Sequence, residues 1–287
     1  MGEPLAERIG RAHRIEQPLV MGVVNVTPDS FSDGGRFDGP EQAVEHALAL
    51  LDQGADLLDV GGESTRPGAE PVSEAAELAR VLPVIERLRQ RSDAPISIDS
   101  TKPAVMRAAV AAGADMINDV NALRAPGALQ TAAELAVPVC IMHMQGDPLT
   151  MQDKPDYGDV VADVLAFFSD RVQACLAAGI AREHLVLDPG FGFGKTLAHN
   201  LTLLARFREL NSLGYPVLAG LSRKSMLGRL TGRERPDERL AASVTAAVLA
   251  AQRGAALVRV HDVAATVDGL KIWLALAQAD AENGSES

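Results

Sequence analysis

LVMGVVNV, residues 19–26, is the first of eight short apolar runs that decide the fold of this 287-residue chain. Val, Leu and Ile dominate these runs, as they do in parallel strands that are buried on both faces. The other seven, in order, are DLLDVGG (56–62), PISIDS (95–100), MINDVN (116–121), VPVCIMHM (137–144), HLVLDPG (184–190), PVLAGLSR (216–223) and ALVRVHD (256–262).

Longer segments with the apolar spacing of amphipathic helices separate the runs. Examples are residues 41–54, 73–90, 159–179 and 237–254. This alternation predicts an α/β protein, and eight strand–helix units predict a single-domain (β/α)8 TIM barrel, because a doubly wound sheet usually contains fewer strands. We expect the barrel to span residues 18–278, with an N-terminal extension at 1–17 and a flexible tail at 279–287.

Composition and charge narrow the function classes. The chain has 38 Asp and Glu against 27 Lys and Arg, a formal net charge of -11. Because a nucleic-acid binder needs a basic face, we expect no nucleic-acid partner. Residues 1–17 lack the apolar core of a signal peptide, and no apolar run has the length of a membrane span. We therefore expect a soluble, cytoplasmic protein with no membrane partner, in which Cys140 and Cys175 are reduced.

Side chains suited to chemistry follow the predicted strands, where the carboxyl end of a TIM barrel carries its active site. They are Asn25, Glu63 with Thr65 and Arg66, Asp99, Asn118, Met142 with His143, Asp188, Ser222 with Lys224, and Arg259 with His261. Carboxylate and amide groups can bind the N–H donors of a flat heterocycle. Arginine and histidine beside Asn25 can instead bind an anion such as diphosphate, with a divalent metal held by oxygen ligands.

Alternation along a strand separates inward from outward side chains. If Asp99 points into the barrel mouth, Ser97 lies below it and Ile96 and Ile98 face the helices, while Asn118 stands above Met116 in the same way. The remaining polar residues have the other parity and are predicted to be structural: Asp119, Arg223 and Asp262.

The stretch LDPGFGFGKT (187–196) has the composition of a phosphate-binding loop but not its spacing. A Walker A motif would need glycine in place of Pro189, and a dinucleotide-binding fingerprint would need glycine in place of Lys195. We interpret the stretch as the end of the sixth strand and its loop, in which glycines let the backbone pass close to a flat ligand. Lys195 and Thr196 are then a loop residue and the entry to the next helix.

Seven segments together resemble the dihydropteroate synthase family. They are MGVVNVTPDSFSDGG (21–35), DVGGESTRPGAEPVSEAAELARVLPVI (59–85), ISIDSTK (96–102), INDVNAL (117–123), LDPGFGFGKT (187–196), GLSRKSMLGRLTG (220–232) and RVHDV (259–263). The resemblance implies a transferase of folate biosynthesis that condenses (7,8-dihydropterin-6-yl)methyl diphosphate with 4-aminobenzoate, giving 7,8-dihydropteroate and diphosphate. It also implies a Mg2+ (magnesium) cofactor, C–O cleavage to a pterin cation that the arylamine attacks, and a sulfonamide target.

The resemblance further implies roles for individual residues. Those that bind the pterin are Asp99, Asn118, Asp188 and Lys224, with Met142, Phe193 and Gly220 lining the same pocket. Asn25 is implied at the metal, and Arg259 with His261 at the diphosphate. The positions implied near the aminobenzoate are Thr65, Arg66, Pro67 and Ser222, with Phe31 and Asp33 on a first loop that closes over the reacting centre. The catalytic set is then Asp99, Asp188, Lys224, Arg259 and His261.

Two other functions remain open. A pterin-binding corrinoid-type methyltransferase shares the barrel, but it is not expected to carry both NVTPDSFSDGG (25–35) and GGESTRPG (61–68). A non-catalytic pterin-binding paralogue should depart from the family pattern at the anion-binding or loop positions, and none of the residues above departs from it. The apolar runs at 241–251 and 266–277 fit either the homodimer that the resemblance implies or ordinary barrel packing.

Overall fold

Eight parallel strands form the centre of the molecule in a computed structural model that describes residues 3–26, 39–64, 70–146, 151 and 155–284. The strands are β1 (Leu19–Asn25), β2 (Leu57–Gly61), β3 (Ile96–Asp99), β4 (Met116–Asp119), β5 (Val139–Met142), β6 (Leu185–Asp188), β7 (Leu218–Ala219) and β8 (Leu257–Val260). They are ordered β6-β5-β4-β3-β2-β1-β8-β7, and a bridge between Leu187 and Val217 joins the two ends of this series. The sheet is thus a nearly closed barrel, and the predicted TIM barrel is confirmed.

Ten helices accompany these strands in the described residues. They are α1 (Leu5–Arg14), α2 (Gly39–Asp52), α3 (Glu74–Arg91), α4 (Pro103–Ala111), α5 (Ala128–Leu135), α6 (Val160–Ala177), α7 (Leu197–Ala205), α8 (Ser225–Thr231), α9 (Leu240–Ala251) and α10 (Val263–Gly284). Side-chain caps fix several starts: Ser73 caps α3, Asp159 caps α6, and Thr196 caps α7 by accepting from His199 N. None of these helices has both the length and the hydropathy needed to cross a bilayer.

Two apolar clusters fill the space inside and outside the ring of strands. The outer cluster packs strand residues such as Ile96 and Ile98 against the helices. The inner cluster contains Leu19, Met21, Leu57, Met116, Cys140, Val186, Leu218 and Leu257. Met116 is therefore inside the barrel and both isoleucines are outside it, as the alternation along the strands predicts.

Both ends of the chain are more regular than the sequence suggested. The N-terminal extension forms α1, whose Leu5, Ile9 and Ala12 are buried in the inner cluster, so this helix covers the amino end of the barrel. At the other end, α10 extends to Gly284, past residue 279, where the predicted tail begins. Ala279, Ala281 and Glu282 in that segment favour helix.

Candidate functional site

A cavity opens at the carboxyl end of the barrel. The residues that line it come from the ends of β3 to β8 and the loops that follow: Asp99, Asn118, Val120, Met142, Asp188, Gly190, Phe191, Phe193, Gly220, Ser222, Lys224, Arg259 and His261. The structure thus brings together all the residues that were predicted to contact the pterin ring. The predicted anion-binding pair, Arg259 and His261, lines the same cavity.

A buried charge network forms the floor of the cavity. Arg259 donates from Nε to Asp59 Oδ2 (2.6 Å) and from an Nη to Asp99 Oδ2 (3.1 Å). Asn118 donates from Nδ2 to the same Asp59 oxygen at 3.1 Å. Asp59 accepts one of the two N–H groups of the Asn118 amide, and the amide oxygen is able to accept from a ligand N–H.

Sequence reasoning missed Asp59. It lies in β2, two residues before the strand ends at Gly61. Its side chain is fully buried and is on the same face of the strand as Leu57. Asp59 is the middle residue of β2 and not at the strand end, where polar residues were expected, but a carboxylate in the middle of an apolar strand is itself unusual. Strand parity could have placed it inside the barrel.

Burial brings the protonation equilibria of several cavity residues closer to neutral pH. Desolvation and the adjacent Asp59 carboxylate raise the pKa of Asp99 to about 7, although Arg259 opposes this shift. Burial also raises the pKa of Asp188, against the hydrogen bond from Gly190 N (2.7 Å) and the charge of Lys224. Burial lowers the pKa of Lys224 to about 8, and Asp188 opposes that change. A ligand that exchanges protons or gains positive charge is therefore well matched to this site.

An aromatic surface lines part of the cavity. The Nζ atom of Lys224 lies 4.1 Å from the centroid of the Phe193 ring, within cation–π distance. Phe193 belongs to a small buried cluster with Val120, Met142 and Met144. A flat ring can therefore contact an apolar surface while its edge reaches charged groups.

Ser222 and His261 form the side of the cavity next to β8. His261 donates its backbone N–H to Ser222 Oγ (3.2 Å), and its Nδ1 lies 3.0 Å from the same hydroxyl. Burial and the charges of Arg259 and Arg223 lower the pKa of His261 to about 3, so the imidazole is neutral at pH 7. His261 can therefore donate one ring N–H to an anion, while the positive charge at this side comes from arginine.

The residues predicted to be structural make structural contacts. Arg223 forms a bidentate ion pair with Asp262, with N···O distances of 3.0 and 2.5 Å. Asp119 is fully buried and accepts from the backbone N–H groups of Asn121 (2.7 Å) and Leu123 (2.8 Å). Both arrangements stabilise loops behind the cavity.

Other predicted residues lie elsewhere or cannot be placed. Asn25 ends β1 beside Gly61 of β2, and the cavity lining defined by the described residues does not include it. In the described part of the chain, no group of three or more His, Cys, Asp or Glu is arranged to hold a metal. The predicted loop positions lie outside the described residues: Phe31, Asp33, Thr65, Arg66 and Pro67.

Barrel and cavity together define the class of protein: a TIM-barrel enzyme whose strand ends bind a flat polar heterocycle beside an anion. Residues 21–261 match the family described as pterin binding enzyme. Dihydropteroate synthase of Haemophilus influenzae is 54% identical over 263 residues, which cover 91% of this chain and 95% of the relative. The chain therefore belongs to the pterin binding enzyme family, and within it to the dihydropteroate synthases.

Solved structures agree with this assignment. A Xanthomonas albilineans dihydropteroate synthase with 4-aminobenzoic acid has a TM-score of 0.87 and 60% sequence identity, covering 91% of this chain and 93% of that one. A Yersinia pestis dihydropteroate synthase with a sulfonamide drug also has a TM-score of 0.87, at 52% identity, covering 91% of this chain and 94% of that one. The resemblance stated from sequence is confirmed.

Proposed function

We propose that this enzyme condenses (7,8-dihydropterin-6-yl)methyl diphosphate with 4-aminobenzoate to give 7,8-dihydropteroate and diphosphate in folate biosynthesis. The observation that carries the proposal is the cavity itself, which unites Asp99, Asn118, Asp188 and Lys224 around one slot. Two carboxylates and an amide oxygen match the N–H groups of a pterin ring, and the Lys224 ammonium matches a ring nitrogen or carbonyl.

The reaction breaks one bond and forms another at the pterin methylene. The C–O bond breaks and its electron pair leaves with diphosphate, which Arg259 and His261 are placed to bind. Positive charge develops on a carbon conjugated to the ring, and the carboxylates of Asp99 and Asp188 stabilise it. The arylamine nitrogen then forms the C–N bond and loses a proton, and no strong base is needed because an arylamine is already neutral at pH 7.

We assign Mg2+ to the diphosphate rather than to a preformed protein cage. Asn25, at the carboxyl end of β1, would supply one amide oxygen, and Mg2+ commonly takes its other ligands from phosphate and water. When bound, the ion supplies charge neutralisation for the leaving diphosphate.

Aminobenzoate is assigned to the mouth of the cavity above Ser222. The other residues proposed for it are Thr65, Arg66 and Pro67, with Phe31 and Asp33 on the first loop. A sulfonamide that resembles aminobenzoate would compete at the same place. Sulfonamide inhibition that is relieved by added aminobenzoate supports this assignment, and inhibition relieved only by the pterin substrate contradicts it.

We propose a homodimer through α10. Two large apolar side chains of this helix are exposed in the single chain, Ile272 at 73% and Leu276 at 58%, and they are one helical turn apart. An apolar stripe of this kind is stabilised when a second copy covers it. Sedimentation of the wild type and of Ile272→Asp tests this: the wild type should have twice the mass of the variant.

We also place the enzyme in a reducing cytoplasm, in keeping with its two free cysteines.

One assay tests the proposed reaction. The enzyme is given the dihydropterin diphosphate and Mg2+, with and without 4-aminobenzoate, and diphosphate release is followed. We expect release that depends on the arylamine, together with dihydropteroate in equal amount. Pterin binding without release would instead favour the non-catalytic paralogue, and methyl transfer from a methylated pterin to a corrinoid would favour the methyltransferase.

A further inference from the structure

Lys195 is a buried lysine to which the proposed reaction gives no role. Burial lowers its pKa to about 7, against the charge of Asp188, and both of its protonation states carry N–H donors. Its side chain is in the loop after β6, and only 3% of the residue is exposed. Its Nζ atom lies 2.9 Å from Phe193 O, 3.0 Å from Gly190 O, 3.3 Å from His143 O and 2.9 Å from His143 Nδ1. Burial and the Lys195 charge lower the pKa of His143 to about 3, so its neutral ring can accept. Protein atoms alone thus satisfy the ammonium.

Three alternating glycines let the loop fold around this ammonium. Gly190, Gly192 and Gly194 all have positive φ, at 68°, 79° and 59°. A Cβ atom on Gly190 would lie 2.0 Å from His143 O, and one on Gly194 would lie 2.5 Å from Gln145 O. The loop therefore packs its backbone directly against the segment that follows β5, with the lysine between them.

The same loop positions two groups of the cavity. Gly190 donates its N–H to Asp188 Oδ1 at 2.7 Å, which orients that carboxylate. Phe193 presents its ring to the cavity 4.1 Å from Lys224 Nζ. Two carbonyl groups of this loop accept from Lys195. They belong to Gly190 and Phe193, the same residues that make these two contacts.

We propose that Lys195 is a positioning residue for pterin recognition, which rests on the proposed function above. Its side-chain amine ties the carbonyls of Gly190 and Phe193 to His143, and so holds the Asp188 carboxylate and the Phe193 ring at a fixed spacing in the lining of the pterin slot. Without the ammonium, buried carbonyl groups lose their donor and the loop must open to find water. Asp188 and Phe193 then lose their fixed spacing, although neither has been altered.

Lys195→Met tests the proposal, because it keeps the length of the side chain and removes the donor. We expect the Kd of the dihydropterin diphosphate, measured by calorimetry, and its KM to rise on the order of 10- to 100-fold, the cost of misplacing binding groups by about an ångström. The KM for aminobenzoate should stay at its wild-type value. A uniform loss of folded protein cannot produce this split between the two substrates.

Arg89→Met is the matched control. Arg89 is also a cation bound by backbone carbonyls, at 2.7 Å from Gly113 O and 2.6 Å from Ala94 O, and it pairs in addition with the Asp115 carboxylate; it lies at the amino end of the barrel. We expect it to lower the Tm without changing either KM or the pterin Kd. If Lys195→Met likewise lowers only the Tm, Lys195 is structural and the proposal is overturned.

A second variant covers the case in which Lys195→Met does not fold. Lys195→Arg keeps the charge but places a larger, planar head among acceptors arranged for an ammonium, so we expect a smaller rise in pterin Kd in the same direction. A folded Lys195→Arg enzyme with the wild-type Kd overturns the proposal. Failure of the proposed function is a separate result: the wild-type enzyme would then release no diphosphate in response to aminobenzoate.

Discussion

At the amino end of the barrel the inward side chains are Leu57 and Met116, whereas two residues further along the same strands they are Asp59 and Asn118. The lower pair packs with α1 in a buried apolar cluster. The upper pair belongs to a hydrogen-bonded charge network. One pleat of each strand therefore separates a layer that stabilises the fold from a layer that binds the ligand.

The two layers contribute differently to the free energy of folding. The apolar layer stabilises the folded state by burial, roughly 25 cal/mol per Å². The polar layer loses hydration when it is buried, and the Asp59–Arg259 ion pair recovers that loss only through its geometry. Such a layer contributes little net stability, so its residues are best explained by ligand binding.

Asp59→Ala should have the largest effect of any change in the polar layer. It removes a partner from the Arg259 guanidinium and from the Asn118 amide at once, and leaves a buried charge partly uncompensated. We expect a loss of about 3 kcal/mol in the free energy of unfolding, and a fall in kcat/KM on the order of 100-fold. Urea unfolding and steady-state kinetics with the pterin substrate measure the two effects.

Leu57→Ala is the control for Asp59→Ala, on the same strand and face but in the apolar layer. We expect a comparable loss of stability, about 2–5 kcal/mol, with kcat/KM per folded molecule unchanged. If both variants lower kcat/KM equally, the division between the two layers does not hold.

Arg66→Ala should have the next largest effect on the reaction. Arg66 is proposed to lie near the aminobenzoate, and a lost charge-assisted hydrogen bond to that substrate would cost roughly 1.5–3 kcal/mol, which corresponds to about a 10- to 100-fold rise in KM. The KM for the pterin substrate should change much less, because we propose that other residues, Asp99, Asn118 and Asp188, bind it. Equal increases for both substrates would count against the assignment.

The apolar layer makes a prediction of its own at α1. Ile9 is 1% exposed and packs into the inner cluster, so Ile9→Ala should cost about 2 kcal/mol or somewhat more in unfolding free energy. Both KM values should remain at the wild-type level, because α1 covers the end of the barrel opposite the cavity. A change in pterin KM would show that the two ends are coupled.

Much of this organisation could be predicted from the sequence, and the exceptions have physical reasons. Strand composition and the alternation with helices predicted the barrel, and the position of Asp99, Asn118 and Asp188 at strand ends predicted the cavity. The packing of α1 could also have been predicted, because one helix face carries the buried residues Leu5, Ile9 and Ala12.

The burial of Lys195 could not be predicted from the sequence in this way. Its burial depends on carbonyl groups from its own loop and from the segment after β5, and no spacing in the sequence reports where a carbonyl group points. The composition GFGFGK does indicate an unusual backbone, but glycines let a backbone approach a flat ligand as readily as they let it surround a lysine. Only the three-dimensional arrangement shows that the cation they surround is the lysine of the motif itself.

The smallest predicted effect is a pH dependence of stability from the polar layer. Folding raises the pKa of Asp99 from 3.8 to about 7, so between these values the folded state binds more protons than the unfolded state. The contribution of Asp99 to stability is therefore full below the lower value and is lost as the pH rises through about 7. Asp188 and Asp119 shift in the same direction, so the test is a difference between variants. The drop in Tm from about pH 5 to about pH 8 should be smaller in Asp99→Asn than in the wild type, and unchanged in the control Asp52→Asn at an exposed position. If the Tm of Asp99→Asn falls over this pH range by as much as that of the wild type, the Asp99 carboxyl group is ionised throughout, because Arg259 outweighs its burial.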